Sequence, residues 1–129
     1  MRDDYIILFL DDSVERAAVL HQRMPERDVE HVVWVKTVAE TLDFLVNYRE
    51  RLRTVYLDHN LNGMEYQHSG SDTSGMEIVR WLEKQNHKYY EHVKFVVHSW
   101  NISAAVKMVE RLRDKGYLAY QKPFGMEGK

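Results

Sequence analysis

A chain of 129 residues suits one folded domain, long enough to bury roughly two-thirds of its unfolded surface. Its 44% hydrophobic and 29% charged residues are ordinary for a globular protein and exclude a disordered one. A net charge of -2 gives no reason to expect a nucleic-acid duplex or an anionic membrane as partner, and the lack of cysteine excludes disulfides and thiolate metal sites.

Met1-Arg2-Asp3-Asp4 runs straight into a strand over Tyr5 to Leu10, which leaves no room for a signal peptide. No apolar run reaches the length of a membrane span, so a cytoplasmic location is the expectation. Asp12-Ser13-Val14-Glu15 reads as a capping box that opens the first helix. A second strand, His31 to Val35, precedes another such box, Thr37-Val38-Ala39-Glu40. Arg49, Arg51 and Arg53 around Glu50 read as a solvated helix end. The third strand, Thr54 to Leu57, leads into Asn60 to Thr73, a stretch rich in Gly, Ser, Asn and His. Loops of that length usually serve as functional lids or are locally disordered. Ser74-Gly75-Met76-Glu77 is a third capping box, and Lys94 to His98 a fourth strand. Asn101 then caps a helix whose apolar face is Ile102, Ala105, Val106, Val109 and Leu112; Gly116 ends it, and Tyr117 to Gln121 forms the fifth strand.

These strands are apolar without clean polar alternation, as strands covered on both faces are. Strand-helix alternation over residues 1–129 predicts a single domain with a parallel sheet and right-handed crossovers. Five strands of this kind most often adopt the order 2-1-3-4-5, with a ligand crevice beyond the carboxyl ends of strands 1 and 3.

Polar residues stand at four of those carboxyl ends: Asp11-Asp12, Asp58-His59, His98-Ser99 and Lys122. Neighbouring strands lie about 5 Å apart, so Asp11, Asp12 and Asp58 crowd into one pocket. Carboxylates so close need a cation or bound protons, and an oxygen-only acidic cup favours Mg²⁺. Lys122 lies two strands from Asp58, roughly 10 Å between backbones, close enough to pair with Asp58 or to neutralise a phosphoryl oxygen. Ser99 can donate a hydrogen bond to the same oxygen.

Each of these residues also has a plainer reading. His98 ends a buried strand and could be a satisfied structural histidine, but its neighbours Ser99 and Asp58 favour a functional one. His59 stands evenly between the two, because alternation along the chain can turn it away from the site when Asp58 faces in. If both imidazoles reach the pocket, they could serve as acid and base near their ordinary pKa of about 6.5. Asn101 is first a helix cap, and the amides it caps also form an anion site. Asp12 shares that ambiguity. Arg16, one turn into the first helix, reads as a surface residue that could reach a phosphate. His21, His31, His87 and His92 read as surface residues, while His68 could fold over the pocket from the long loop. A calcium-loop reading of Asp58 to Gly63 fails for want of the closing Glu, and Gly70 to Gly75 lacks the lysine of a phosphate-binding loop.

Ile7-Leu8-Phe9-Leu10-Asp11-Asp12, Val55-Tyr56-Leu57-Asp58, Val96-Val97-His98-Ser99 and Gln121-Lys122-Pro123-Phe124 together resemble the signature segments of the response-regulator receiver (CheY-like) superfamily. The resemblance implies a flavodoxin-like three-layer α/β sandwich. It casts Asp58 as phosphoacceptor, Asp11 and Asp12 as the Mg²⁺ pair, and Ser99 and Lys122 as the hydroxyl and lysine of the site. Three features depart from ordinary receivers. Only seven residues follow Lys122, so the fifth helix is expected to be lacking; Trp100 follows the hydroxyl residue; and the loop after Asp58 is long. Asp58-His59-Asn60-Leu61, the Ser74-Gly75 helix start and His98-Ser99-Trp100-Asn101, leading into a helix with Met108, are similar to the narrower cyclic-phosphate-processing receiver family. Asn60 and Ser74 replace that family's second Asp and its Thr.

The resemblance implies a metal-dependent phosphoesterase, with Mg²⁺ or Mn²⁺ on Asp11, Asp12 and Asp58, acting on a small cyclic phosphate or cyclic nucleotide. Lys122, Ser99 and Asn101 would hold phosphate, and Asp58, His98, His59 and Lys122 would carry the chemistry. The alternative is a stand-alone response-regulator receiver, phosphorylated on Asp58 and acting by binding. A missing fifth helix would leave part of one sheet face open beside the first helix, and a homodimer through that face is the expectation.

Overall fold

Alternation of buried strands with capped helices produces the expected architecture. The computed structural model describes residues 4–11, 13–58, 75–98 and 102–122. The strands are β1 (Ile6–Leu10), β2 (Val32–Val35), β3 (Leu52–Leu57), β4 (Lys94–Val97) and β5 (Leu118–Gln121). They pair in parallel in the order β2-β1-β3-β4-β5. The helices among the described residues are α1 (Val14–Arg23), a single turn α2 (Glu26–Val29), α3 (Val38–Asn47), α4 (Met76–Glu83) and α5 (Ile102–Asp114). No helix among them is long and apolar enough to cross a membrane.

Side-chain alternation divides the core between the two faces of the sheet. Leu8, Leu10, Val55, Leu57, Phe95 and Val97 pack with Leu45 of α3, Ile78, Val79 and Leu82 of α4, and Met108 and Leu112 of α5. Phe9 faces the other way, against Ala17 and Leu20 of α1, with Trp34 and Tyr56 beside it. Leu118 and Tyr120 stand in register with Thr54 and Tyr56 through Lys94 and Val96, on the Phe9 side of the sheet, and both are exposed. The expected absence of a helix after β5 bears on 123–129, outside the described residues.

Two tyrosines tie helix ends to the sheet layer. The Tyr90 hydroxyl donates to the Leu45 carbonyl at 3.0 Å, and the Tyr117 hydroxyl to the Leu82 carbonyl at 2.5 Å. Both carbonyls lie in the last turn of a helix, where intrahelical donors run out. Burial pushes the Tyr117 phenol up to about 12, so it remains a donor at any ordinary pH.

Several local expectations are corrected. The cap of α1 is Ser13, whose side chain accepts from the Arg16 amide, rather than Asp12. The residue capping α4 is Gly75, without a side-chain bond; the expected Ser74 lies outside the described residues. At α3 the capping box on Thr37 and Glu40 is present in full. The buried stripe of α5 is Ala105, Met108, Val109 and Leu112, while Ile102 and Val106 are exposed. Arg49–Arg51 form a 3-10 turn rather than a helix end, with Arg49 over the Tyr89 ring and Arg53 paired to Asp28. His31 stacks on Tyr5, and His87 is half-buried against Tyr117, so neither is a plain surface residue.

Candidate functional site

Asp11, Asp58, His98 and Lys122 each follow the last residue of a strand, and three of them are held there by continuing the ladder of the sheet. The Asp11 amide donates to Val35 O at 3.1 Å, the His98 amide to Leu57 O at 2.9 Å and the Lys122 amide to Val97 O at 2.9 Å. Their register is therefore set by the hydrophobic strands behind them. Asp11, Asp58 and His98 are all buried, which is unusual for ionisable groups without a counter-charge.

Arg16 supplies that counter-charge. Its Nε donates to Asp11 Oδ2 at 2.6 Å and its Nη2 to Asp11 Oδ1 at 2.8 Å, a bidentate pair. The same Nη2 reaches Asp58 Oδ2 at 3.3 Å. Helix geometry explains the reach. Arg16 is the third residue of α1, and side chains there point back toward the helix N-terminus, which here means over the end of β1.

Other contacts hold Asp11 independently of the arginine. The Ser13 amide donates to Asp11 Oδ1 at 2.9 Å, and the Trp34 indole donates to the Asp11 carbonyl at 2.6 Å. Gly75 performs a similar service for Asp58 from the other side. A Cβ built on Gly75 would lie 2.1 Å from the Asp58 carbonyl oxygen, so the start of α4 presses directly on the end of β3. Only a residue without a side chain permits that approach.

His98 lies with its ring stacked on Phe9 at 5.0 Å between centroids and with Nδ1 3.6 Å from Asp11 Oδ2. Burial first, then the Arg16 charge, push its imidazole down from 6.5 to about 3, with backbone hydrogen bonds at Leu10 and His98 opposing in part. The ring is thus neutral at pH 7. That differs from the expectation of an acid-base imidazole near its ordinary value, and the cause is burial of the ring against Phe9 together with the nearby Arg16 charge.

The donor chemistry fits a hard cation, since two carboxylates on paired strands are brought together through one guanidinium. Among the described residues no group of three acidic or imidazole side chains forms a metal cluster. Asp12, the third expected ligand, lies outside them, as do His59, His68, Ser99 and Asn101. Lys122 is exposed at the end of β5, and the cation contacting Asp58 across the described residues is Arg16. A cavity of about 420 Å³ between α3 and α4, lined by Leu42, Arg80 and Trp81 among others, includes none of the strand-end residues.

Arg16, which by sequence reads as a surface residue, is instead the cation of the site among the described residues, and Trp34 and the tight fit of Gly75 carry no sequence signal of their own. The signal for Arg16 was present: an acidic strand end, a serine cap two residues on and an arginine at the third helical position.

A family model described as cyclic-phosphate processing receiver domain matches residues 6–114. No match is found among the curated proteins. Among solved structures, a response regulator receiver protein from Pseudomonas putida is similar with a TM-score of 0.60 and 16% identity, over 98% of this chain and 92% of that one. A receiver domain of a DNA-binding response regulator from Colwellia psychrerythraea gives 0.56 and 19%, over 95% and 89%. The CheX-CheY-BeF3-Mg complex from Borrelia burgdorferi gives 0.57 and 17%, over 92% and 78%. At these identities the likeness is one of fold.

Proposed function

The chain belongs to the cyclic-phosphate processing receiver domain family, and from that membership and the strand-end geometry we propose that it is a metal-dependent phosphoesterase acting on a small cyclic phosphate or cyclic nucleotide. The observation that carries the proposal is the buried pair Asp11 and Asp58, held side by side at the ends of paired strands and bridged by Arg16. Burying two carboxylates together is costly unless cations compensate them, and the single charge of Arg16 offsets one of the two.

In this proposal Asp11, Asp12 and Asp58 hold Mg²⁺ or Mn²⁺, which supplies Lewis-acid polarisation of a phosphoryl oxygen when bound. Lys122 and Ser99 would offset the charge that builds on the phosphoryl oxygens, and Asn101 would orient the substrate. A neutral buried imidazole is a poor proton store at pH 7, so in this reading proton transfer falls to His59. In a second route an Asp58 oxygen attacks phosphorus in line, one ring P–O bond breaks, the released alkoxide takes a proton, and water then hydrolyses the aspartyl phosphate.

A second reading, a stand-alone receiver phosphorylated on Asp58 and acting by binding, draws on the receivers that share the fold, one of them in a complex with BeF3 and Mg. The test separates the two. A panel of 2′,3′- and 3′,5′-cyclic nucleotides is incubated with the full chain and Mg²⁺ or Mn²⁺, beside Asp58→Asn and His98→Ala. The enzyme reading predicts metal-dependent turnover, abolished in Asp58→Asn and reduced in His98→Ala. No turnover, together with stable acetyl-phosphate labelling of Asp58, would transfer the assignment to the receiver reading.

A further inference from the structure

The charges at the site contain a competition. Asp11 and Asp58 carry two negative charges, and Arg16 neutralises one of them from within. A divalent cation would need oxygens of the same carboxylates and would stand within a few ångströms of the guanidinium. The Arg16 donors already occupy both oxygens of Asp11, at 2.6 and 2.8 Å. Two cations cannot share those oxygens without mutual repulsion.

We propose that Arg16 is the resident cation of the Asp11–Asp58 pair and exchanges with the divalent metal, leaving Asp11 when the metal arrives. This rests on the reading that the site takes a metal, and it concerns the regulation of that site rather than the reaction.

Three observations identify Arg16 as the group that moves. Its side chain retains 23% exposure, whereas those of Asp11 and Asp58 retain 0% and 4%, so it alone of the three has a path to solvent. It hangs from the first turn of α1 on a flexible stem, while both aspartates are anchored at the ends of paired strands. Asp11 also stays in place without it, because the Ser13 amide holds one carboxylate oxygen and the Trp34 indole holds the backbone carbonyl. The carboxylates are thus preorganised for a cation, and the arginine sets how much metal is needed to displace it.

The test uses the full chain and metal alone. Mn²⁺ binding is measured by electron paramagnetic resonance on the parent, Arg16→Met and Arg16→Lys. Exchange predicts Mn²⁺ affinity roughly tenfold tighter or more in Arg16→Met, and an affinity near the parent's in Arg16→Lys. It also predicts that the thermal midpoint of Arg16→Met rises more steeply with Mg²⁺ than that of the parent. Should Arg16→Met fail to fold without metal, the parent itself supplies the measurement. The Arg16 Nε–H resonance, protected by Asp11, should exchange faster with water as Mg²⁺ saturates the site. Metal binding that is unchanged or weaker in Arg16→Met, metal binding in the parent with Arg16 Nε–H still protected, or no binding in any of the proteins would overturn the proposal. None of these readouts involves a phosphate substrate, so a failure of the phosphoesterase reading leaves the exchange standing or falling by itself.

Discussion

Asp11 and Asp58 face each other because residues of very different kinds hold them. Two of those residues make sharp predictions at the scale of a single side chain. Gly75 has an ordinary helical φ of -59°, so an alanine there meets no backbone strain and would by itself gain about 0.4–1 kcal/mol by restricting the unfolded chain, offset in part by the preference for glycine over alanine at an N-cap. Its Cβ, however, would stand 2.1 Å from the Asp58 carbonyl oxygen. Overpacking against a fixed carbonyl dominates, and Gly75→Ala is expected to cost about 1–3 kcal/mol in urea unfolding. An unchanged or higher midpoint would mean that α4 does not press on the end of β3.

His98 makes a prediction about pH. Its imidazole titrates near 6.5 in the unfolded chain and at about 3 in the folded one. Between those values the unfolded state binds the extra proton, so the contribution is complete above about pH 6.5 and is lost as pH falls toward 3. The slope from this group is at most about 1.4 kcal/mol per pH unit. His98→Phe, which keeps a ring against Phe9, should flatten the unfolding free energy between pH 4 and 6.5 relative to the parent. Parallel pH curves for the two proteins would place the imidazole in solvent.

At the scale of elements, what the sequence made legible follows from how local each signal is. Strand limits were read to within a residue or two because runs such as Ile7 to Leu10 and Phe95 to Val97 are apolar on both faces, and the sheet buries both. The Thr37-Glu40 box was legible because cap and helix lie within four residues of each other. Neighbouring candidates were harder. Asp12 and Ser13 both cap well, and the choice fell to Ser13 because Asp11 must end β1 and accept the Ser13 amide. The α5 stripe was misread for a similar reason. Ile102 and Val106 fit the period as well as Met108 does, and only the packing of α5 on α4 and β4 selects Met108. Arg111 and Glu83 add an ion pair between α4 and α5 with contacts of 2.8 and 2.5 Å, but the arginine side chain is 40% exposed and solvent screening keeps the contribution small. Arg16 went underweighted because its value depends on Asp58, forty-two residues away, being brought beside Asp11.

For the whole molecule, the order β2-β1-β3-β4-β5 places the carboxyl ends of β1 and β3 side by side, and that single fact assembles the site. Among the described residues Leu118 and Tyr120 are exposed on the Phe9 side of the sheet, the face through which a homodimer is the expectation. Family and fold thus agree on the architecture, and the proposal extends them to the site and its chemistry. The most direct measurement is ³¹P NMR of a 2′,3′-cyclic nucleotide incubated with the full chain and Mg²⁺, beside Asp58→Asn. The account predicts that the cyclic resonance gives way to that of an opened monoester with the parent protein and persists with Asp58→Asn. A cyclic resonance that persists with both, or one that decays equally with both, would contradict it.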